Sequence, residues 1–552
     1  MKKRNSSGVV RSLQRTSAKN TKNTKNTEWK IKFSGALRAL RWKLDLFAQL
    51  SSYYLYFSST HTTGTPMTTH QLQADYLIVG SGAVGMAFAD SIFHESEATM
   101  VIVDRHHGPG GHWNDAYPFV RLHQPSSFYG VNSRKLGHNG LDTDPLNPGM
   151  TERATSAEIL AYYEALMQDM LASGRVVYLP MTHYVGPWAS GAPAGIDNND
   201  SKLVSYAVSS LLCGVLTQVK VARKVVDTSY LNTAVPSTHP PKYAVAPGIE
   251  CMPLNNLPKV KSCPSGYVVV GAGKTGIDAC LWLLANQVPP DQIRWIMPRD
   301  SWFQNRASVQ SGEAFFMSTF TAMALQYEAV ANANSVAEVF VRLEADNQLL
   351  RLDKNVEPTM YHAAVVSLDE LHALRQIKDI VRMGRVVRFE KEQIVLERGN
   401  APMNAGRIVV DCSASAAEMR PAMAVFQSRV ITPQFIQAFQ PTFSAALIAH
   451  VELRYDDEAV KNKICTPVPL PDTPLTWLTM QAATLANRYV WGRDKGIAQW
   501  LVDSRLDGFS KMMHDVQEHE ADKIAVMQRL GAAIVPAVGK LKTLLATQMS
   551  QV

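Results

Sequence analysis

Two glycine-rich turns contain the residues whose types and spacing point most directly to chemistry. In the first, Gly80, Gly82 and Gly85 lie between a buried-strand pattern and a helical pattern. This spacing permits a tight turn, close approach of a pyrophosphate to the backbone and close packing of the helix, whose N-terminus attracts negative charge. Asp104 ends the next strand pattern, where a carboxylate can hydrogen-bond a ribose hydroxyl. The predicted dinucleotide contacts are Gly80, Gly82, Ala83, Gly85, Asp104 and Arg105.

The second glycine turn repeats the strand-turn-helix pattern, but a different residue type follows its next strand. The strand pattern that follows it stops at Arg299 and Asp300 instead of at a single acidic residue. Arginine can pair with a 2′-phosphate, so NADP is favoured over NAD, although Asp300 leaves NAD open and a surface ion pair would also explain Arg299. A nucleoside-triphosphate loop is excluded, because it needs glycine where the chain has Val268. The predicted contacts are Gly271, Gly273, Lys274, Thr275, Gly276 and Arg299.

The segment after Asp104 concentrates glycine, aromatic and hydrogen-bonding residues without regular periodicity. This composition suits contact with a flat ring that has polar edges. Trp113 and Tyr117 could equally be core aromatics. His112 and His123 have no acidic or cysteine partner at ligand spacing, so no metal site is predicted. The candidate residues of the segment are Gly111, His112, Trp113, Arg121, His123 and Gln124.

Residues 110–113 and 117–121 resemble the Gly-Gly-x-Trp and Tyr-Pro-x-x-Arg stretch of class B flavoprotein monooxygenases. This group contains the flavin-containing and Baeyer-Villiger monooxygenases. The resemblance implies that the segment lies along an FAD, close to the flavin ring. Two features depart from the Baeyer-Villiger pattern: His123 stands where those enzymes usually have Asp, and their Phe-x-Gly-x-x-x-His signature is absent before Gly271. These departures disfavour ketone insertion and leave other oxygenations open.

The resemblance further implies an NADPH-dependent, FAD-containing monooxygenase acting on a small organic substrate. Hydride would pass to flavin N5, O2 would add at flavin C4a, and the resulting peroxide would deliver one oxygen atom to substrate. Arg121, His123 and Gln124 are the polar groups expected beside the reactive ring, with no acid or base assigned. A flavin dehydrogenase or reductase with another acceptor is the alternative, and a non-catalytic nucleotide sensor is a third. The six cysteines include no Cys-x-x-Cys, which disfavours a disulfide reductase.

The implied fold is α/β, with two Rossmann-like dinucleotide-binding domains and the NADP domain inserted into the FAD domain. We expect the FAD domain at residues 67–258 and 401–552, and the NADP domain at residues 259–400. The strand pattern at residues 407–411 is expected to return the chain to the FAD domain. A length of 552 residues fits two or three domains.

Residues 1–66 form a basic leader. They hold 13 Lys and Arg against Glu28 and Asp45, whereas the remainder is mildly acidic, so no nucleic-acid surface is predicted. The leader has the composition of a disordered tail, an organelle transit peptide or an extension before Met67. No uninterrupted apolar run approaches the roughly 18 residues of a membrane span. Scattered thiols favour a reducing compartment, so we expect a cytoplasmic protein unless the leader targets an organelle.

Overall fold

The elements of the fold are numbered in chain order. The computed structural model describes residues 70–138, 140–188, 203–414 and 417–549, so the basic leader lies outside the described residues. The strands are β1 (His70–Val79), β2 (Met100–Val103), β3 (Val176–Leu179), β4 (Thr182–Pro187), β5 (Val204–Ser210), β6 (Leu216–Asp227), β7 (Ala244–Val245), β8 (Cys251–Pro253), β9 (Gly266–Val270), β10 (Ile293–Ile296), β11 (Ser301–Asn305), β12 (Leu349–Leu350), β13 (Met360–Val366), β14 (Asp379–Val381), β15 (Val386–Phe389), β16 (Gln393–Leu396), β17 (Gly399–Pro402), β18 (Arg407–Asp411), β19 (Phe426–Gln427) and β20 (Val430–Ile431). The α-helices are α1 (Ala83–Glu95), α2 (Ser156–Ala172), α3 (Lys274–Ala285), α4 (Phe316–Ala331), α5 (Val336–Ala345), α6 (Leu368–Leu374), α7 (Pro441–Arg454), α8 (Glu458–Ile464), α9 (Pro474–Arg493), α10 (Lys495–Asp503), α11 (Ser510–His514) and α12 (Ala521–Met549).

The first sheet is built on the strand that precedes the first glycine turn. Its strands run in the order β19-β20-β6-β1-β2-β3, with β5 also pairing with β6 and β4 pairing with β5. β1 lies parallel to both β2 and β6. Tyr76, Leu77 and Ile78 of β1 are fully buried. A parallel strand covered on both faces carries a continuous apolar run, which is the pattern that the sequence shows there.

The second sheet is entirely parallel and has the order β14-β10-β9-β18-β8. All five of its strands come between β6 and β19 in the chain. The chain therefore leaves the first sheet, builds the second and returns to the first. The predicted α/β class is confirmed at this level: helices and several sheets make up the fold.

Different elements cover the two faces of the second sheet. On one face, the small sheet β17-β16-β15-β7 packs its Phe389 and Ile394 against Val268 and Val270. On the other face, α3 buries Leu283 in the large core shared with the first sheet. β11, β12 and β13 form a third small sheet.

The strand Arg407–Asp411 differs from its predicted position. It was expected to return the chain to the first domain at about residue 401, but it pairs in parallel with β9 inside the second sheet. The chain rejoins the first sheet only at Phe426, through β19 and β20. A short apolar run predicts a buried strand, but it carries no information on which of two buried sheets the strand joins.

The C-terminal region is helical. α7 is buried along most of its length and packs against α1. α12 packs against α4 and α9 with Val526, Leu530, Ala537 and Leu541 buried at helical spacing. Within the described residues, one stretch, Ala521–Thr547, is long and apolar enough by composition to cross a membrane, with a mean hydropathy of 1.3. A search for uninterrupted apolar runs misses it, because charged residues interrupt the helix.

Candidate active site

The first glycine turn joins β1 to α1 and leaves no room for side chains at two of its glycines. Gly80 has φ +101°, and a Cβ at this residue would lie 2.5 Å from Thr228 Oγ1. That hydroxyl donates to the carbonyl of Val79 at 2.7 Å. A Cβ on Gly85 would overlap the carbonyl oxygen of Gly80. Glycine is therefore required at both positions to bring the N-terminus of α1 onto the end of β1.

The N-terminus of α1 is open to an anion. Gly82 is its N-cap, and no side chain caps the helix, so its first N–H groups lack an intrahelical or side-chain partner. The Gly110–Gly111 loop approaches the same point: Gly110 N–H donates to the carbonyl of Ser81 at 2.8 Å. A Cβ on Gly111 would lie 2.8 Å from Gly82 Cα. The turn and the loop thus form two walls of one backbone cradle.

Asp104 lies at the end of β2, where the sequence placed it. Its carboxylate accepts from Ser81 N–H at 2.5 Å and from the His106 ring at 2.9 Å. Burial alone would raise the pKa of Asp104, but hydrogen bonds from His106 and Ser81 outweigh it and hold the pKa below its usual value. Arg105 is exposed. Asp104 is therefore an ionised, oriented acceptor beside the first turn.

His106 was missed by the sequence reasoning. It lies between two carboxylates, with Nδ1 2.9 Å from Asp104 and Nε2 2.7 Å from Asp115. The hydrogen bond to Asp104 is the main cause that raises its pKa to about 9, with a smaller contribution from Asp115. The imidazolium ties the end of β2 to the loop that carries the predicted flavin contacts. A histidine between two acidic residues in a short segment was the available signal.

The second glycine turn has the same construction as the first. Gly271 has φ +131°, and its Cβ would lie 2.5 Å from the carbonyl of Cys412. A Cβ on Gly276 would overlap the carbonyl oxygen of Gly271. Gly273 is the N-cap of α3, no side chain caps it, and a Cβ there would meet nothing within 4 Å. A side chain at Gly273 would therefore meet no other part of the described chain.

Both turns lie where the strand order of their sheet reverses. In the first sheet, β2 pairs with one edge of β1 and β6 pairs with its other edge. In the second sheet, β10 pairs with one edge of β9 and β18 pairs with its other edge. Crevices at such reversals, outside the carboxyl ends of parallel strands, are the usual ligand sites of α/β sheets. The two predicted sites therefore share one topology.

Asp278 of α3 connects the two turns. Lys274 begins α3 and forms an ion pair with Asp278 one turn later. Tyr117, from the loop beside the first turn, donates to the same carboxylate at 2.5 Å. Burial is the main cause that lowers the pKa of Lys274. Thr275 lies partly buried beside it, with no side-chain hydrogen bond among the described residues.

His123 lies next to a buried group of charges. Burial, followed by the nearby cations Lys274, Arg306 and Arg153, lowers its pKa well below the usual value, so the ring is neutral. Arg306 is 1% exposed; its Nη2 lies 2.7 Å from Glu370 and its Nε donates to the carbonyl of His123 at 3.4 Å. Arg153 reaches the same glutamate at 3.2 Å.

Arg153, Arg306 and Glu370 come from three separate parts of the chain, and sequence reasoning found none of them. Arg153 is further held by Asp142 at 2.9 Å and Asp144 at 2.8 Å. Each charge in the group has an oppositely charged partner. Removing one member of such a buried group would leave a charge without compensation, which is strongly destabilising.

The remaining candidate residues of the 110–124 segment differ in burial and in hydrogen bonding. Trp113 is buried in the core and donates from Nε1 to Tyr129 Oη at 2.8 Å. His112 is neutral, because burial lowers its pKa to about 4. Arg121 donates to the carbonyl of Arg153 at 3.2 Å. Gln124 is partly buried and makes no side-chain hydrogen bond among the described residues.

Arg299 is already paired. It lies just beyond β10, and its two terminal nitrogens bind Asp472 at 2.6 and 2.9 Å. His362 Nε2 lies 2.7 Å from the same carboxylate. Hydrogen bonding from Arg299 is the main cause that lowers the pKa of Asp472 to about 2. Asp300 is held by Arg382 at 2.8 Å, so neither residue at this strand end is without a partner.

In the part of the chain that the structure describes, no group of three or more His, Cys, Asp and Glu residues could hold a metal ion. All six cysteines are free thiols. Cys280 and Cys412 are buried, and burial is the main cause that raises the pKa of each.

Comparison with known proteins places the chain in a family. No protein-family model matches it. It is 44% identical over 467 residues to the uncharacterized protein Rv2000 of Mycobacterium tuberculosis and to the uncharacterized protein Mb2023 of Mycobacterium bovis, covering 84% of this chain and 83% of each relative. The chain belongs to the family of these mycobacterial proteins.

The solved structures that the chain matches include three monooxygenases. They include an open form of cyclohexanone monooxygenase, at TM-score 0.43 and 13% identity over 70% of this chain and 89% of that chain. A polycyclic ketone monooxygenase from the fungus Thermothelomyces thermophila gives TM-score 0.46 and 11% identity over 86% and 90%. A flavin-containing monooxygenase from Stenotrophomonas maltophilia gives TM-score 0.37 and 15% identity over 76% and 99%.

Proposed function

We propose that this protein is an FAD-dependent oxidoreductase that takes electrons from NADPH and acts as a monooxygenase on a small organic substrate. The observation that carries the proposal is the pair of glycine turns of equal construction, each at the strand reversal of its own sheet. The Tyr117–Asp278 hydrogen bond joins the loop of the first turn to the helix of the second. Two dinucleotides held in this way would meet beside one buried polar group.

The first turn fits FAD. The uncapped N-terminus of α1 and the backbone of the Gly110–Gly111 loop would hold the pyrophosphate. His112 is neutral, so one ring nitrogen can donate a hydrogen bond there. Asp104, kept ionised by His106, would accept from a ribose hydroxyl. Arg121, His123 and Gln124 would then contact the polar edge of the ring.

The second turn fits NADPH at its pyrophosphate. Open space in front of Gly273 and the uncapped N-terminus of α3 offer the same anion site as in the first turn. Arg299 is in position for a 2′-phosphate, provided that the phosphate replaces Asp472 as its partner. The preference for NADPH over NADH would therefore depend on Arg299, which binds the phosphate, and on Asp472, which competes with the phosphate for Arg299.

Bound FAD would supply the two-electron redox chemistry and the activation of O2. The chain would orient the two rings, exclude water and place positive charge beside them. Arg306 and Lys274 bring two cations close to the neutral ring of His123. Negative charge that develops beside them would be stabilised by such fixed cations.

The domain assignment follows from these sites. We propose that residues 67–258, without β8, and the C-terminal region hold FAD, and that the second sheet holds NADP, with β8 and residues 407–411 counted in the NADP domain. We also retain a cytoplasmic location as part of the proposal, with residues 1–66 as a candidate targeting segment.

Gly273→Ala tests the proposal most sharply. The new Cβ meets no protein atom within 4 Å, so the fold and the flavin content should be unchanged, while the methyl group should block the pyrophosphate. We expect the rate of flavin reduction by a fixed NADPH concentration to fall at least about tenfold. Gly492→Ala, at another position where a Cβ meets nothing, is the matched control.

Oxygen transfer is tested separately. After anaerobic reduction by NADPH, air is admitted and hydrogen peroxide is measured alongside NADPH consumption across amines, thioethers, ketones and hydroxylated aromatics. A substrate that raises NADPH consumption without equivalent peroxide supports the monooxygenase. Stoichiometric peroxide with every compound would instead favour the dehydrogenase or reductase alternative.

A further inference from the structure

The side chain of His106 closes the loop of residues 105–115, which we call the cradle loop because it carries Gly110 and Gly111. The ring lies between two carboxylates, with Nδ1 2.9 Å from Asp104 Oδ1 and Nε2 2.7 Å from Asp115 Oδ2. Asp104 follows β2, and Asp115 ends a short 3-10 helix, Gly111–Asp115. The ring therefore ties the start of the cradle loop to its far end.

Both carboxylate residues are anchored in turn. Asp104 Oδ2 accepts from the backbone N–H of Ser81 at 2.5 Å and from its hydroxyl at 2.9 Å, inside the first glycine turn. The carbonyl of Asp115 accepts from Ser237 Oγ and from Asn255 Nδ2, each at 2.8 Å. His106 thus stands in a chain of hydrogen bonds that runs from the first turn to the segment between β6 and β9.

The two ring hydrogen bonds require a protonated ring. An ionised carboxylate only accepts, so both ring nitrogens of His106 have to donate. A neutral imidazole donates from one nitrogen and presents a lone pair at the other. Loss of the proton would therefore leave Asp104 or Asp115 facing a lone pair, and a charge-assisted bond would be lost.

Among the described residues, Asp104 and Asp115 are the charged groups that bond to this ring. The hydrogen bond to Asp104 is the main cause that raises the pKa of His106 to about 9, although burial opposes it. On the cradle loop itself, the ring of His112 is neutral, because burial lowers its pKa to about 4.

The other elements beside the cradle loop add no cation that bonds to His106 in the described part of the chain. From β3, Tyr178 Oη lies 3.2 Å from Ser81 Oγ, and burial raises its pKa. The segment before β4 contributes Met181 N–H, which donates to the carbonyl of His106 at 3.0 Å. From α2, Glu164 approaches Gly108, where a Cβ would lie 4.0 Å from Glu164 Oε2. Of the groups around the loop whose pKa is shifted, His106 is the one that titrates near pH 9.

We propose that His106 is a positioning residue of the FAD site, whose ring proton holds the cradle loop against the first glycine turn and so sets the affinity for FAD. The inference rests on the proposed function, because it takes the first turn as the FAD site. A ring without its proton holds one carboxylate instead of two, so the Gly110–Gly111 wall is less firmly fixed. Bound FAD would favour the closed loop and hence the protonated ring. By linkage, the affinity for FAD falls as pH rises through about 9.

Equilibrium dialysis of the flavin-loaded, full-length protein at several pH values tests the proposal. The dissociation constant of FAD should rise at least about threefold between about pH 7 and about pH 9.5. His106→Gln should bind FAD more weakly at pH 7 and lose the pH dependence. Asp115→Asn removes one of the two charges that favour the ring proton, so the fall in affinity should move to lower pH. His94→Gln is the matched control, since it breaks another His–Asp pair, with Asp90, whose ring is half exposed.

The outcomes separate this inference from the proposed function. A dissociation constant that is independent of pH, or the same pH dependence in His106→Gln as in the wild-type protein, would overturn the role of His106 and leave the FAD site standing. Failure to retain FAD at every pH would overturn the proposed function as well. Circular dichroism at both ends of the pH range checks that each protein is folded. If His106→Gln does not fold, an unchanged pH dependence in Asp115→Asn would refute the inference.

Discussion

Asp472 holds the guanidinium of Arg299, and Asp472→Asn is expected to release that cation for the 2′-phosphate of NADPH. The two side chains are 38% and 37% exposed, so water screens the pair despite its short distances of 2.6 and 2.9 Å. Ion pairs at this exposure contribute about 0.2–1 kcal/mol. Removing the competing carboxylate should therefore tighten NADPH binding by up to about fivefold.

The assay is an anaerobic titration that measures the dissociation constants of NADPH and NADH for each variant. Asp472→Asn should tighten NADPH binding and leave NADH binding unchanged, because only NADPH carries the 2′-phosphate. Arg299→Gln should weaken NADPH binding and spare NADH. Asp379→Asn is the control, since it breaks a different Asp–Arg pair, with Arg294 at 2.9 Å, at the opposite end of β10.

An unchanged ratio of NADPH to NADH affinity in both Asp472→Asn and Arg299→Gln would refute this reasoning. In that case the Arg299–Asp472 pair would be a surface ion pair only, and the second turn would have no 2′-phosphate site at this strand end.

Three further predictions concern stability. His106 has a folded-state pKa of about 9, above its unfolded value, so its stabilising effect is complete below about pH 6.5 and is lost as pH rises through about 9. Urea unfolding should show that the free energy of unfolding falls by about 1–2 kcal/mol over this pH range in the wild-type protein. The His106→Gln variant should lack this fall. Tyr117→Phe removes the hydrogen bond to Asp278 and should lower the free energy of unfolding by about 1 kcal/mol; no change in urea midpoint would contradict that contact. Arg306→Met removes one of the two cations that pair with the buried Glu370 and should lower the free energy of unfolding by about 3 kcal/mol. The double variant Arg306→Met/Glu370→Gln should regain part of that free energy in the same urea assay.

The glycine turns were predictable because their chemistry is local. The steric need for glycine at Gly85 and Gly276 arises from contacts within a few residues, so spacing alone reveals it. The position of Asp104 beside the first turn was also predictable, because the carboxyl ends of β1 and β2, two neighbouring parallel strands, lie at the same edge of the sheet. That the second sheet is built within the chain of the first was implied by the resemblance to class B monooxygenases and not by the turns themselves.

The charged group beside His123 was not predictable in this way. Arg153, Arg306 and Glu370 lie on segments with no common periodicity, and only the tertiary fold brings them together. Likewise, nothing near Arg299 in the sequence indicates Asp472. Local patterns identify where a dinucleotide can bind, whereas the partners that tune charge come from distant parts of the chain.

The central claim is that one chain holds FAD at the first turn and is reduced by NADPH at the second. Its most direct test is the visible absorption spectrum of the purified, FAD-reconstituted protein during anaerobic addition of NADPH. We predict a flavin spectrum that bleaches on adding NADPH and returns in air, with bleaching slowed in Gly273→Ala. A protein that retains no FAD, or a bound flavin that NADPH and NADH both fail to bleach, would contradict the account.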